Sequence, residues 1–139
     1  MKYFLILLLA AIAFSCKNNC TEIDGVVIGE GIRISSDEQN IEYCNLVEQS
    51  LNKDLNALKT ISLLNYQNSI GYEHGTVLVE IVDKVGEMFI HQLLRISLHL
   101  KSKRYLSYLD VGIEYSGDEH LEKKNLKLVF PDLYQFLTL

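Results

Sequence analysis

Two stretches of this chain carry residue types that could do chemistry. The first is Gly71-Tyr72-Glu73-His74-Gly75, a polar element bracketed by glycines. An imidazole next to a carboxylate could move a proton near neutral pH. A tyrosine beside them could anchor a partner or a small molecule. The plainer reading is a helix start, with Glu73 or His74 pairing with first-turn amides and the Tyr72 ring packing. The second stretch is Asp110-Val111-Gly112-Ile113-Glu114-Tyr115-Ser116-Gly117-Asp118-Glu119-His120. Asp110 and Glu114 are four residues apart and would share one helix face. Acids followed by a histidine could hold a hard cation or act as an acid–base pair. Yet there is no HExxH and no EF-hand spacing, and Asp118 and Glu119 also suit a helix N-terminus electrostatically. A solvated face with a cap explains them as well as a partner surface does. His91 and His99 lie two turns apart without an acid at metal spacing, and read as packing or solvated residues.

Several chemistries are missing from the pattern. No serine sits in GxSxG. The glycines Gly25, Gly29 and Gly31 form neither GxxxxGK[ST] nor GxGxxG, so they make no phosphate loop. No metal and no cofactor is implied, and no residue is assigned a catalytic role. Enzyme action, or small-molecule binding through Tyr72 and His74, is kept only as a second alternative.

The elements that must position these residues are helical. From Ile41 the apolar residues recur as Cys44, Val47, Leu51, Leu55, Leu58 and Ile61, a spacing of one helical turn. Ser36-Asp37-Glu38-Gln39 reads as a capping box opening this run. Asn52-Lys53-Asp54 divides it into helices near 37–51 and 54–65. Residues 65–71 read as a polar loop, with the next helix beginning near Glu73, so that the Tyr72–Glu73–His74 element stands at a helix mouth. Gly86 ends that helix as a left-handed cap. Glu87 starts another that runs to Leu100. Ser102 caps a further one, Ser116-Gly117-Asp118 stops it, and a shorter segment follows from Glu119. Pro131 opens the last helix, where its missing N–H costs nothing. Upstream, two β-branched runs flank Gly29-Glu30-Gly31 and read as a small hairpin or extended arm over 21–36. The expected fold is mainly α: a compact antiparallel helical bundle or a HEAT-like stack of αα-hairpins, with a short N-terminal extended or β arm.

The N-terminus says where the chain resides. Lys2 precedes twelve apolar residues, 3–14, and then come Ser15 and Cys16. A spanning helix needs roughly 20 apolar residues, so this run is a poor permanent anchor. Charged start, short apolar core, small residue and cysteine together resemble a bacterial lipoprotein signal peptide with a lipobox. Ala13 and Phe14 depart from its commonest residues. The resemblance covers about the first 16 residues and implies a diacylglyceryl group, palmitate among its acyl chains, on the Cys16 thiol, followed by cleavage before that residue. The resulting division is 1–15 signal peptide, 16–22 lipidated tether and 23–139 a single helical domain. Lys17, where aspartate would favour inner-membrane retention in such lipoproteins, favours the outer membrane, on its periplasmic face or surface.

Export also permits disulfides. Cys20 and Cys44 could form one. Against this, Cys44 falls on an apolar helix face where a buried thiol is common. Removing residues 1–15 takes only Lys2 from 13 basic side chains against 18 acids, so the formal charge moves from −5 to −6. That balance argues against nucleic acid and against a polybasic membrane surface. The expectation is therefore a membrane-tethered, non-enzymatic protein-interaction module with an unidentified protein partner. Tyr72, Glu73, His74, Asp110 and Glu114 are its candidate contact residues. In size, charge and location it resembles immunity proteins that block secreted effectors, though no motif carries that likeness. The alternative is a structural or assembly lipoprotein docking an envelope machine.

Overall fold

The computed structural model describes residues 20–96, 103–121 and 124–139. Cys16, His99 and Ser102 lie outside the described residues. The chain begins with a hairpin, β1 (Glu22–Ile23) and β2 (Val26–Val27), antiparallel with Glu22 opposite Val27 and Ile23 opposite Val26. Asp24 (φ 49°) and Gly25 (φ 81°) make its turn. Asp-Gly tolerates the two positive φ values that a two-residue hairpin loop needs. Eight helices follow among the described residues: α1 (Glu30–Glu38), α2 (Tyr43–Leu51), α3 (Leu55–Leu63), α4 (Asn68–Val85), α5 (Glu87–Ile96), α6 (Lys103–Tyr115), α7 (Leu126–Val129) and α8 (Pro131–Thr138). The fold is mainly α, as the apolar spacing predicts.

Several boundaries differ from the sequence reading. Gly29-Glu30-Gly31 is not a hairpin turn: it opens α1, because Glu73 reaches across from α4 and accepts the Ile32 N–H at 2.9 Å. A carboxylate at first-turn amides satisfies an orphan donor and complements the helix dipole. The approach needs glycines, since a Cβ at Gly31 would lie 2.7 Å from a Glu73 oxygen and one at Gly29 2.6 Å from its Cδ. With α1 starting there, Ser36 falls in its last turn rather than at a cap. Its hydroxyl is buried and meets the Tyr66 hydroxyl at 2.7 Å. Gln39 turns back to the Ser35 carbonyl instead of closing a capping box. Asn40 at φ 56° then breaks the chain, and α2 starts only at Tyr43.

A further difference is α4, which begins at Asn68. Tyr72, Glu73 and His74 therefore lie inside the helix, one turn beyond its mouth. Residues 119–121 form a turn, not a helix. Other punctuation stands as read. Lys53 has φ 62° and separates α2 from α3, where Asp54 accepts the Ala57 N–H at 2.8 Å. Gly86 ends α4 as expected, but with φ 93° and ψ 139° it is extended rather than a left-handed cap; Gly117 at φ 66° follows α6, and Pro131 opens α8.

α4 is the central element. It packs against α1, α2, α5, α6 and β2, and it buries Val77, Leu78, Val79, Ile81 and Val82. Around it one apolar cluster gathers Ile32 and Val47, Leu58 and Ile61, Ile90 and Leu94, Leu109 and Ile113, and Leu126 and Leu133. Its tightest neighbour is α6, where Gly75 lies against the Tyr108 carbonyl and the Gly112 backbone. Cys20 and Cys44 are joined by a disulfide with a Cα separation of 6.2 Å, tying the chain just before β1 to α2.

Candidate functional site

The Tyr72–Glu73–His74 triplet is split by the helix that carries it. Successive residues on a helix point about a quarter-turn or more apart, so three neighbours meet three environments. His74 faces the core and is fully buried. Its Nδ1 lies 2.8 Å from the Tyr43 hydroxyl. Three tyrosine rings meet it edge-on, Tyr43 at 5.8 Å, Tyr66 at 5.1 Å and Tyr108 at 5.0 Å between centroids. Burial pushes the imidazole down to about 3, and the Ile61 backbone carbonyl only partly opposes this. Nε2 itself makes no hydrogen bond of good geometry. Burial likewise pushes the Tyr43 phenol well above its ordinary value, so Tyr43 keeps its proton and its hydroxyl shares a hydrogen bond with a neutral ring. His74 is thus a core residue, sealed from any partner or substrate, and the expectation that it contacts a partner is corrected.

The tyrosines around it satisfy one another. The Tyr108 hydroxyl accepts the Tyr66 N–H at 2.9 Å and donates to the Tyr66 carbonyl at 2.7 Å. This bond pair fixes the short connection between α3 and α4. Glu73 faces α1 and spends its carboxylate on Ile32. It is partly buried, and it holds α1.

Tyr72 alone of the three faces outward. It is 49 % exposed, and its ring stacks on Tyr115 of α6, itself 57 % exposed, at 5.3 Å between centroids and 3° between planes. The two helices that display the pair are locked at Gly75 and Gly112, so the rings stand on a stiff base. Asp110 and Glu114 are exposed on α6, and partial burial raises the Asp110 carboxyl above its usual range. Asp118 caps its own turn by accepting the His120 N–H at 2.8 Å. Among the described residues no three histidine, cysteine or acidic side chains converge as a metal ion requires. Tyr115 is the residue that sequence reading left out of the site. Spacing could not reveal it, because its partner lies 43 positions away in another helix.

No protein-family model, curated protein or solved structure matches this chain. No helix among the described residues is long and apolar enough to cross a membrane.

Proposed function

We propose that this protein is a small lipid-anchored envelope protein that works as a non-enzymatic interaction module, and that its partner docks on the Tyr72–Tyr115 face. The observation that carries this is the exposed, stacked tyrosine pair on two backbone-locked helices. Tyrosine is enriched at binding hot spots, and a rigid display lowers the ordering cost of association. The same helix turns its one imidazole into the core, which supports a binding rather than a proton-transfer role for this region. Within that reading we favour inhibition of a secreted effector, on the grounds of small size and acidic charge. Docking to an envelope assembly is the alternative.

A photo-crosslinking residue placed at 72 or 115 tests the surface in cells. It should give a discrete adduct that the same probe at exposed Lys59 of α3 does not. Equal labelling at all three positions would remove this face from the account. Conversion of Cys16 to alanine tests the anchor separately. It should leave uncleaved precursor or soluble protein, whereas normal processing and membrane partition would refute lipidation.

A further inference from the structure

Phe89 of α5 has a cation of its own: the Lys53 ammonium stands 5.7 Å from its ring centroid. Among the described residues no lysine or arginine covers Tyr72 or Tyr115 in that way. The reason lies in the sequence. Residues 60–83 and 105–121, the two stretches that hold these rings, contain no lysine and no arginine. The second stretch carries Asp110, Glu114, Asp118 and Glu119, all exposed. Among the described residues Asp110 and Glu114 have no hydrogen-bond or ion-pair partner for their carboxylates. Burial alone raises the Asp110 carboxyl, with no cation opposing it. Glu114 precedes Tyr115 on α6 and points about 100° round the helix from it. Asp110 stands one turn earlier on the Glu114 stripe. The ring pair is thus bordered along α6 by two unpaired carboxylates.

Rings and carboxylates select the same occupant. A tyrosine ring is negative on its face and attracts a cation set over it. The neighbouring acids add a field of the same sign, which no local base cancels. The two ring planes lie within 3° of each other, so their half-exposed faces suit a flat group. A guanidinium is flat. It stacks on a tyrosine face and still offers its N–H fork to a carboxylate at the side, which an ammonium cannot match. A quaternary ammonium would satisfy the rings but leave the carboxylates without a donor, and a phosphate backbone would be repelled. Resting on the docking face proposed above, we propose that the partner protein seats an arginine there, its guanidinium stacked on the Tyr72–Tyr115 rings and forked onto Glu114, with Asp110 adding to the field.

Three fluorescein-labelled peptides test it, each alternating glycine with arginine, lysine or citrulline, titrated into the full protein. Citrulline keeps the shape of arginine and lacks its charge. The arginine peptide should bind, the lysine peptide at least about threefold more weakly, and the citrulline peptide not measurably. Tyr72→Leu and Tyr115→Leu keep apolar bulk but lose the π face, and each should weaken the arginine peptide at least about threefold. Tyr115→Phe keeps the face and should bind normally. Glu114→Gln should weaken the peptide by a similar factor at an unchanged melting temperature. Glu38→Gln, at the exposed end of α1, removes the same charge and should leave affinity unaltered. The proposal is overturned by absent arginine-peptide binding, by equal binding of the lysine or citrulline peptide, by full affinity in the leucine variants, or by Glu38→Gln acting as strongly as Glu114→Gln. Displacement of the peptide by phosphocholine would give the rings to a lipid headgroup and overturn it equally. If the peptide fails while a photo-crosslinker at 72 or 115 still captures a discrete partner, the docking face stands and only its arginine falls.

Discussion

Gly75 of α4 and Gly112 of α6 stand backbone to backbone. A Cβ built on Gly75 would meet the Tyr108 carbonyl oxygen, and one on Gly112 would meet the Gly75 carbonyl oxygen and lie 2.7 Å from a Val79 methyl. Removing both side chains lets the helices touch, and that contact sets the spacing of everything they display.

Alanine at either position should therefore destabilise the fold. In a helix interior, glycine to alanine gains roughly 0.5–1 kcal/mol in propensity. Here the opposing clash is with main chain, which cannot rotate away, and overpacking of this kind costs about 1–3 kcal/mol or more. Gly75→Ala and Gly112→Ala should each lose about 1–2 kcal/mol net, read from urea unfolding midpoints. A stabilised variant would mean that the helices are not held this close.

The disulfide should matter by about as much as any single contact. Cys20 and Cys44 are 24 residues apart, and closing a loop of that size stabilises by about 3 kcal/mol on the chain-entropy account. Cys44→Ser, or reduction of the native protein, should lower the urea midpoint accordingly. Identical midpoints with and without reductant would show that the bridge contributes nothing.

His74 should make the fold acid-sensitive. Its folded-state value is about 3 against an ordinary 6.5, so the unfolded chain binds the proton more readily. The contribution is fully present above about pH 6.5 and is lost as pH falls toward 3. Stability measured from pH 7 to 4 should decline by up to several kcal/mol. In His74→Phe, whatever its starting stability, that part of the slope should vanish. An unchanged slope would place the acid sensitivity in the carboxylates.

At the alkaline end the buried phenols take over. Burial holds Tyr105 at about 12 and Tyr43 well above 10. Both keep their protons in the folded state, so their contribution is intact below pH 10 and is lost as pH rises through 10 toward 12. Ultraviolet titration of the folded protein should show these phenolates appearing only together with loss of helical circular dichroism. Full phenolate titration at pH 10 with the helices intact would contradict the buried network.

Tyr72 and Tyr115 should separate binding from stability. An aromatic pair adds about 0.5–1.5 kcal/mol beyond its buried area, and half-exposed rings belong at the low end. Tyr72→Ala and Tyr115→Ala should cost no more than about 1 kcal/mol of stability. Each should nevertheless weaken the partner by about 2 kcal/mol, roughly thirtyfold. A larger stability loss with unchanged affinity of the folded fraction would sink the proposed docking face.

Sequence reading recovers this fold where the signal is local. Gly86, Gly117, Pro131 and the Lys53-Asp54 break act through their own backbone angles or their immediate neighbours, and they mark true ends of helices. It fails where a distant side chain decides. Glu73, Glu80 and Glu87 recur at intervals of seven, and each accepts a backbone N–H from elsewhere: Ile32 of α1, Val27 of β2 and Leu133 of α8. Nothing near residue 30 announces that a helix can start among glycines, because the cap comes from a position 41 residues later. Ser36 misleads for the same reason, since its hydroxyl answers to Tyr66 rather than to its own amides. At the site, residue types alone cannot say which of Tyr72, Glu73 and His74 faces water. That depends on where α4 begins, and its start is fixed by the Tyr108–Tyr66 bonds.

The covalent link between Cys20 and Cys44 also decides how the molecule bears load. Tension arriving along the chain from before residue 20 would otherwise peel the two-residue strands apart one bond at a time. With the bridge in place, the pull enters α2 directly at Cys44, and residues 20–44 form a closed ring that cannot be drawn out. The hairpin and α1 are therefore shielded from force, and the first element to feel a tug is a helix packed against α4.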